Sequence, residues 1–562
     1  MKKKIIAPIL FALILLSGCQ TAKENSTPVI STAMTTIDTT SLFSDRDLSS
    51  DYDESTAIRI ELGGETISCD SDAVSIDGSC ITLLDEGTYL ISGTLSNGQI
   101  LVAADDTDKV QIVLSGVDIT STDSAAIYSR NADKVFVTLA EGTDNTLTNG
   151  GTYTAIDENN IDAVVFSKTD LTLNGSGSLA INAQAGHGVV SKDELTITGG
   201  SYSVTAAEHG LVGKDSLAAA EGTFQITSGK DGLHAENTDD AAKGFLYIKD
   251  GTYTINAQGD AISAGGALQV DGGVFDFTTG EGSASVTMPT EDNFVPRGQG
   301  GLSGEHPQRE RPDSQEMPSQ PSGNTGSRPP AEPPALPAEE NQTANETNAE
   351  TEDTADSVSQ KGIKSDSTLV INSGVFTIDS ADDCIHSTDA LTIAAGEFTL
   401  SSGDDALHSD DAVLIQNGTF SIPYCYEGIE GLSVTVNGGD FDITAHDDGF
   451  NAAGGTDNSG FGGRGEPFAA DENSFIIINE GSILITSKGD CMDSNGDLTI
   501  NGGTLNLTCN GGGNTTLDCN GTYTNNGGDV TTNDNAESNP NGMGGGRPMG
   551  GKKQTPKENP TA

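Results

Sequence analysis

One short phrase recurs down the chain with an acidic residue, often doubled, at a fixed place: DGLHA (231–235), DAISA (260–264), DDCIHS (382–387), DDALHS (404–409), EGIEG (427–431), DDGFNA (447–452) and DCMDS (490–494). Most copies are followed by a Leu-Thr-Ile-like triplet, a glycine-containing bend and a second short strand. A repeat of this length predicts a solenoid in which each copy is one coil, so equivalent positions of successive coils form a column. The column runs His187, His209, Asp231 at steps of 22, then Lys361, Asp383, Asp405, Glu427 at 22 again, with Asp448 at 21. Between Asp448 and Asp490 the step doubles around a glycine-rich stretch, roughly 455–471, which reads as a loop inserted into one coil. Helical periodicity is nearly absent and alternating β-branched residues dominate. The expected fold is all-β: a right-handed parallel β-helix with two short strands per coil, such as Leu391–Ile393 and Glu397–Leu400, and apolar columns inside.

The repeats spread over most of the 562 residues and argue for one elongated body with tails. A hydrophobic fraction of 34% and 70 glycines suit a thin core with many bends. The net charge of −56 excludes nucleic acid and anionic membrane surfaces as partners. Lys2, Lys3 and Lys4 precede an apolar run, Ile5 to Leu16, that ends at Leu16-Ser17-Gly18-Cys19. This is a lipoprotein signal peptide (1–19) with a lipobox, which makes Cys19 the lipidation site and the protein extracytoplasmic, held at the membrane by that anchor alone. Residues 20–56, rich in Ser and Thr, read as a flexible tether, and 57–530 as the solenoid, with an irregular strand-rich cap over about 57–149. An insert at 281–358 carries 11 of the 19 prolines and is expected to be disordered, as is the Gly/Pro/Lys-rich tail 531–562. Seven cysteines remain after Cys19, an odd number. Cys69 with Cys80, and Cys509 with Cys519, are near enough in sequence for local bridges.

Equivalent residues on neighbouring coils lie about 4.8 Å apart. Two unit charges at about 5 Å repel by about 3 kcal/mol at an effective dielectric of about 20. The column therefore calls for a counter-ion, and calcium, which takes six to eight oxygens, fits paired carboxylates and turn carbonyls. The calcium candidates are Asp231, Asp260, Asp382, Asp383, Asp404, Asp405, Asp447, Asp448 and Asp490. On this reading, Asn at 383, 405 and 448 lowers stability in calcium but not in chelator. The competing reading is that Asp pairs merely favour turns, which explains single Asp residues better than consecutive pairs. Three residues after the column, His234, His386 and His408 share a slot with Ser263, Lys364, Glu430, Asn451 and Asp493, a mixture expected of an outward polar stripe.

Gly87–Leu95 (GTYLISGTL), Gly116–Thr120 (GVDIT), Asn131–Val135 (NADKV), Leu139–Thr143 (LAEGT) and the DDALHS-like coils resemble clostridial-type surface lipoproteins carrying a carbohydrate-binding β-helix domain, relatives in fold of pectate lyases. The resemblance covers about Ile58 to Asp529. It implies a calcium-bound right-handed parallel β-helix that binds plant cell-wall polysaccharide, acidic glycans such as polygalacturonate included, without established catalysis; the protein is expected to be a monomer. The nine aspartates above match the family's repeated acidic motif, while Lys361, Glu427, His187 and His209 depart from it.

Three functions remain in play. A glycan-binding module fits, although no Trp and 5% aromatics disfavour a stacking platform. A calcium-dependent polysaccharide lyase needs a Lys or Arg base. From 361 to 530 the bases are Lys361, Lys364, Arg464 and Lys488, of which Lys364 and Lys488 lie nearest the column, with Lys230 a third candidate outside that stretch. A two-carboxylate glycosidase is not singled out by carboxylates this abundant. An adhesin stapled by calcium fits the rod and tether equally well.

Overall fold

The computed structural model describes residues 37–154, 157–288, 359–453, 471 and 473–538. These residues form an all-β body with only short 3-10 helices. Its strands pair in parallel ladders in which each strand's neighbour comes from the next copy of the repeat. In a first ladder Ile385–Ser387 pairs with Leu407–Ser409, in a second Leu391–Ile393 with Val413–Ile415, and in a third Glu397–Thr399 with Thr419–Ser421. Each coil thus holds three strands where the sequence was read for two. The additional strand is the three-residue segment inside the repeated phrase itself, too short to show alternation.

Within each strand the inward positions are apolar and buried: Ile385, Leu391, Ile393, Phe398 and Leu400 in one coil. The third ladder carries an internal ring stack. Tyr202, Phe224, Tyr253, Phe275, Phe376, Phe398, Phe420 and Phe441 follow one another with centroids 4.6–5.3 Å apart. The bend before each ring must then be glycine. At Gly396 φ is +144°, and a Cβ there would lie 2.7 Å from the Phe398 ring. Gly396→Ala is expected to cost about 1–3 kcal/mol in urea unfolding. Gly512→Ala, where a Cβ meets nothing within 4 Å, is the neutral control. Outside this bend, side-chain amides bond coil to coil: Asn479 Nδ2 donates to Asn437 at 2.7 Å and Asn501 Nδ2 to Asn479 at 2.7 Å.

The irregular cap is smaller than its sequence implies. Only the antiparallel hairpins Glu61↔Ser68 and Val74↔Leu83 depart from the ladders, whereas Gly87–Ile91 already pairs in parallel with Val110–Leu114. Unequal coil lengths conceal this region, since Val110, Val135, Leu171 and Leu195 are successive partners in one ladder. Strands on either side of the two insertions pair directly, Ile262 with Ile363 and Phe450 with Met492.

The tether reading needs correction over 37–56, which lies along the body. Asp47 is 2% exposed, its carboxylate 2.8 Å from Lys134 Nζ and accepting from Thr172 Oγ1 at 2.6 Å. Arg46 sits over the Phe136 ring at 4.9 Å, and Phe43 meets Tyr247. Buried polar partners hold a segment whose composition alone reads as linker. The start of the insert also packs, with a 3-10 helix at Ser283–Ser285 and Met288 buried. The signal peptide, Cys19, the rest of the tether, 289–358, the loop at 454–470 and the tail from 539 lie outside the described residues. Cys69, Cys80 and Cys509 carry free thiols, so neither local bridge forms.

Candidate functional site

The acidic column occupies the turn between the third-ladder strand of one coil and the first-ladder strand of the next. It gathers all nine candidate aspartates along one edge. The turn leaves a backbone N–H without a ladder partner, and in most coils the column side chain of the preceding coil accepts it. Asp231 Oδ1 takes the N–H of Asp260 at 2.9 Å and Asp260 Oδ1 that of Lys361 at 2.7 Å. Asp383 Oδ1 takes Asp405 at 3.0 Å, Asp405 Oδ1 takes Glu427 at 3.1 Å, and Asp448 Oδ1 takes Asp490 at 2.6 Å. Asp490 accepts from Thr515 in the same way.

An acceptor is what this position requires, and a neutral imidazole supplies one. His187 Nδ1 accepts from the His209 N–H at 3.2 Å, and His209 Nδ1 from that of Asp231 at 3.1 Å. Burial and the neighbouring His209 push the His187 pKa down to about 4, which keeps it neutral. Lys361 has no lone pair to offer, and here the Asp383 N–H turns to Asp382 Oδ1 at 3.0 Å instead. The first members of the doublets stand further out: Asp404 is exposed, and Asp382 and Asp447 are half-buried.

The slot three residues on forms a second column beside the first. His234, Ser263, Lys364, His386, His408, Glu430, Asn451, Asp493 and Asp518 are in register along the first ladder. It is not the outward stripe expected, since His386, His408, Glu430 and Asn451 are buried. His386 Nδ1 lies 3.0 Å from Asp383 Oδ2 and His408 Nδ1 3.0 Å from Asp405 Oδ2. The far nitrogen of His408 reaches Asp410 at 3.3 Å. With a carboxyl group at each nitrogen, His408 offers no lone pair to a metal; its own pKa is pushed up, and burial pushes that of Asp405 well up too.

Charge is distributed unevenly along the two columns. In the middle coils cations from the chain itself meet the carboxylates. Lys361 Nζ lies 2.9 Å from Asp382 Oδ1 and 2.7 Å from Asp383 Oδ2. Burial alone would raise the Asp383 pKa, but Lys361 and His386 outweigh it and hold the carboxyl far below its usual range. At Asp231 burial is likewise outweighed, with His234 Nδ1 2.9 Å from Oδ2. Toward the C-terminal coils the balance reverses. Burial, then neighbouring carboxylates, push Glu427 and Asp448 well up, and burial pushes Asp490 up to about 7.

The same coils hold buried acceptors without a hydrogen-bond partner. Glu430, 2% exposed, has Oε1 unsatisfied, and Asn451 has Oδ1 unsatisfied while its Nδ2 donates to Glu427 at 2.8 Å. Asp490, Asp493 and Asp518 bring one oxygen each within 4.8 Å of one another. The donor set of these three aspartates is oxygen only, as a hard cation requires, whereas Glu430 Oε2 lies 3.3 Å from His408 Nδ1. Asp382, Asp383 and Asp404 are equally close, but the Lys361 ammonium already stands against two of them. Glu430, Asn451 and Asp493 are visible in the sequence only as occupants of the His slot. Asp518 is missed altogether, because its coil lacks the repeated phrase.

The lysines offered as bases are engaged. Lys364 Nζ lies 3.2 Å from Asp366, whose charge outweighs burial and raises the lysine pKa, so it stays protonated. Lys488 Nζ lies 2.9 Å from His446 Nε2, and Lys230 Nζ 3.3 Å from Glu208.

The family model of carbohydrate-binding domain-containing proteins matches residues 77–406 and 404–549, the larger part of the chain. The chain belongs to this family. A carbohydrate-binding domain-containing protein of Acetivibrio thermocellus is 36% identical over 151 residues, which are 26% of this chain and 53% of that protein. The chain thus spans about half the length of the curated relative it matches. Among solved structures, a polysaccharide lyase-like protein from C. thermocellum, in a gadolinium derivative, shares 35% identity at a TM-score of 0.39, covering 40% of this chain and 92% of that one. Both columns fall within the stretch that the carbohydrate-binding domain family covers.

Proposed function

We propose that this protein binds polysaccharide outside the cytoplasm, as a right-handed parallel β-helix anchored through a lipid on Cys19. Its C-terminal coils hold calcium, and the calcium bridges to the carboxylates of an acidic glycan such as polygalacturonate. Family membership supports the carbohydrate. The observation that carries the metal is the oxygen-only set of Asp490, Asp493 and Asp518, one oxygen of each within 4.8 Å of the others, beside the unsatisfied Oδ1 of Asn451, which is in register with Asp493. Six to eight oxygens suit calcium, and bound calcium offers a carboxylate-rich protein a route to a carboxylate-rich ligand. The coil of Asp382 and Asp383 is excluded from this assignment, because Lys361 supplies its cation.

Isothermal titration of the chelator-treated protein with calcium, then polygalacturonate, tests the reading while absorbance reports unsaturated product. The expected result is calcium uptake, calcium-dependent glycan binding and no product. Calcium uptake without any glycan response would favour a calcium-stapled adhesin. Product would mean lyase chemistry from a base other than the protonated Lys364.

A further inference from the structure

The bend opposite the acidic edge carries a feature that the calcium site does not use. Because the bend residue is glycine in coil after coil, the surface there is cut into a trough. Two cavities of about 540 Å³ each lie in it: one runs from Gly175 to Val274, the other from Gly273 to Asp440. Val274 lines the first and the adjacent Gly273 the second, so the two lie end to end along the coil axis. At about 4.8 Å per coil the trough's length is on the order of 40 Å.

Its floor is glycine backbone over the ring stack, and its rim is the first outward position of the third-ladder strands. No Lys or Arg lines either cavity, whereas Glu221, Asp250, Glu397 and Asp440 do. Such a rim repels a polyanion and accepts hydrogen bonds from hydroxyl groups. Midway along, Val274 and Val375 stand in register and are 49% and 42% exposed. They form an apolar step between polar stretches, the pattern presented by the alternating CH and OH surfaces of a pyranose chain.

We propose that this trough binds a single neutral polysaccharide chain, extended along the coil axis, with Val274 and Val375 beneath an apolar sugar face. The proposal rests on the polysaccharide-binding reading and adds a second surface, independent of calcium. Its rim carboxylates turn away the acidic glycans that the calcium coils attract.

Affinity electrophoresis of the full-length protein in gels containing xyloglucan or glucomannan, without calcium, tests it. The double variant Val274→Gln/Val375→Gln should bind roughly ten-fold more weakly at an unchanged melting temperature. Leu484→Gln, an exposed position of the same ladder outside both cavities, should bind as the parent does. Equal retardation of the double variant and the parent overturns the trough. Retardation by polygalacturonate with calcium, and by no neutral glycan, overturns the trough while the proposed function stands. Retardation by no polysaccharide in either condition overturns both.

Discussion

Replacing Lys361 with Met is expected to destabilise the protein by about 3–5 kcal/mol in chelator, and calcium should return part of that loss. Lys361 is 5% exposed, and its ammonium is the positive charge between Asp382 and Asp383. Without it a fully buried carboxylate keeps only the Asp405 N–H and its histidine partner, and breaking a buried pair in this way is costly. The three oxygens of Asp382, Asp383 and Asp404, within 4.8 Å of one another, then become available to a divalent ion. Urea unfolding of variant and parent with and without millimolar calcium measures the effect. A calcium increment larger in the variant than in the parent identifies Lys361 as a built-in cation. Equal increments would show that Lys361 merely fills space.

The same geometry divides the column prediction made from sequence. Asp383→Asn keeps an oxygen for the Asp405 N–H but leaves Lys361 facing a weaker partner, so its cost should appear in chelator as well as in calcium. Asp448→Asn, amid carboxylates, should cost stability only in calcium. Triple replacement would blend the two behaviours.

The repeat was legible because a fixed step and a fixed residue type survive in the sequence. The coil axis, the inner apolar columns and the single edge of carboxylates all follow from it. What the column does was less legible, because two demands select the same residue. A turn N–H needs an acceptor, and a cation needs an anion. Aspartate satisfies both, and only the exceptions separate them: His187 and His209 meet the first demand and not the second, while Lys361 meets neither and forces Asp382 to take over. Residues 37–56 were misread for a different reason. Asp47, Arg46 and Phe43 find partners more than 60 residues away along the chain, and local composition holds no record of such contacts. The glycine trough was hidden because each glycine announces a bend, whereas the groove exists only when bends stack.

Stability in chelator should fall as pH rises from 6 to 9, and His408 should account for about one proton of that dependence. Burial lowers the His408 pKa, but its hydrogen bonds to Asp405 and Asp410 outweigh burial and push it up to about 12. A folded-state pKa above the unfolded value of about 6.5 contributes stability in full below pH 6.5 and loses it as pH rises toward the folded pKa. Over that window one such proton corresponds to roughly 1.4 kcal/mol per pH unit. Burial and neighbouring carboxylates raise Asp405, Glu427 and Asp448, and burial raises Asp490 to about 7, so these groups add to the loss with the same sign, Asp490 only below about pH 7. Asp231 and Asp383 are lowered, and their contribution, present above the ordinary Asp pKa of about 3.9, stays constant between pH 6 and 9. Urea unfolding at several pH values in chelator measures the slope, and His408→Gln should reduce it by about one proton. A parent protein as stable at pH 9 as at pH 6, or an unchanged slope in the variant, would mean that the buried columns do not hold their protons. Calcium should flatten the slope, because a bound divalent ion replaces those protons at the C-terminal coils, and flattening that persists in His408→Gln would place the ion away from the histidine.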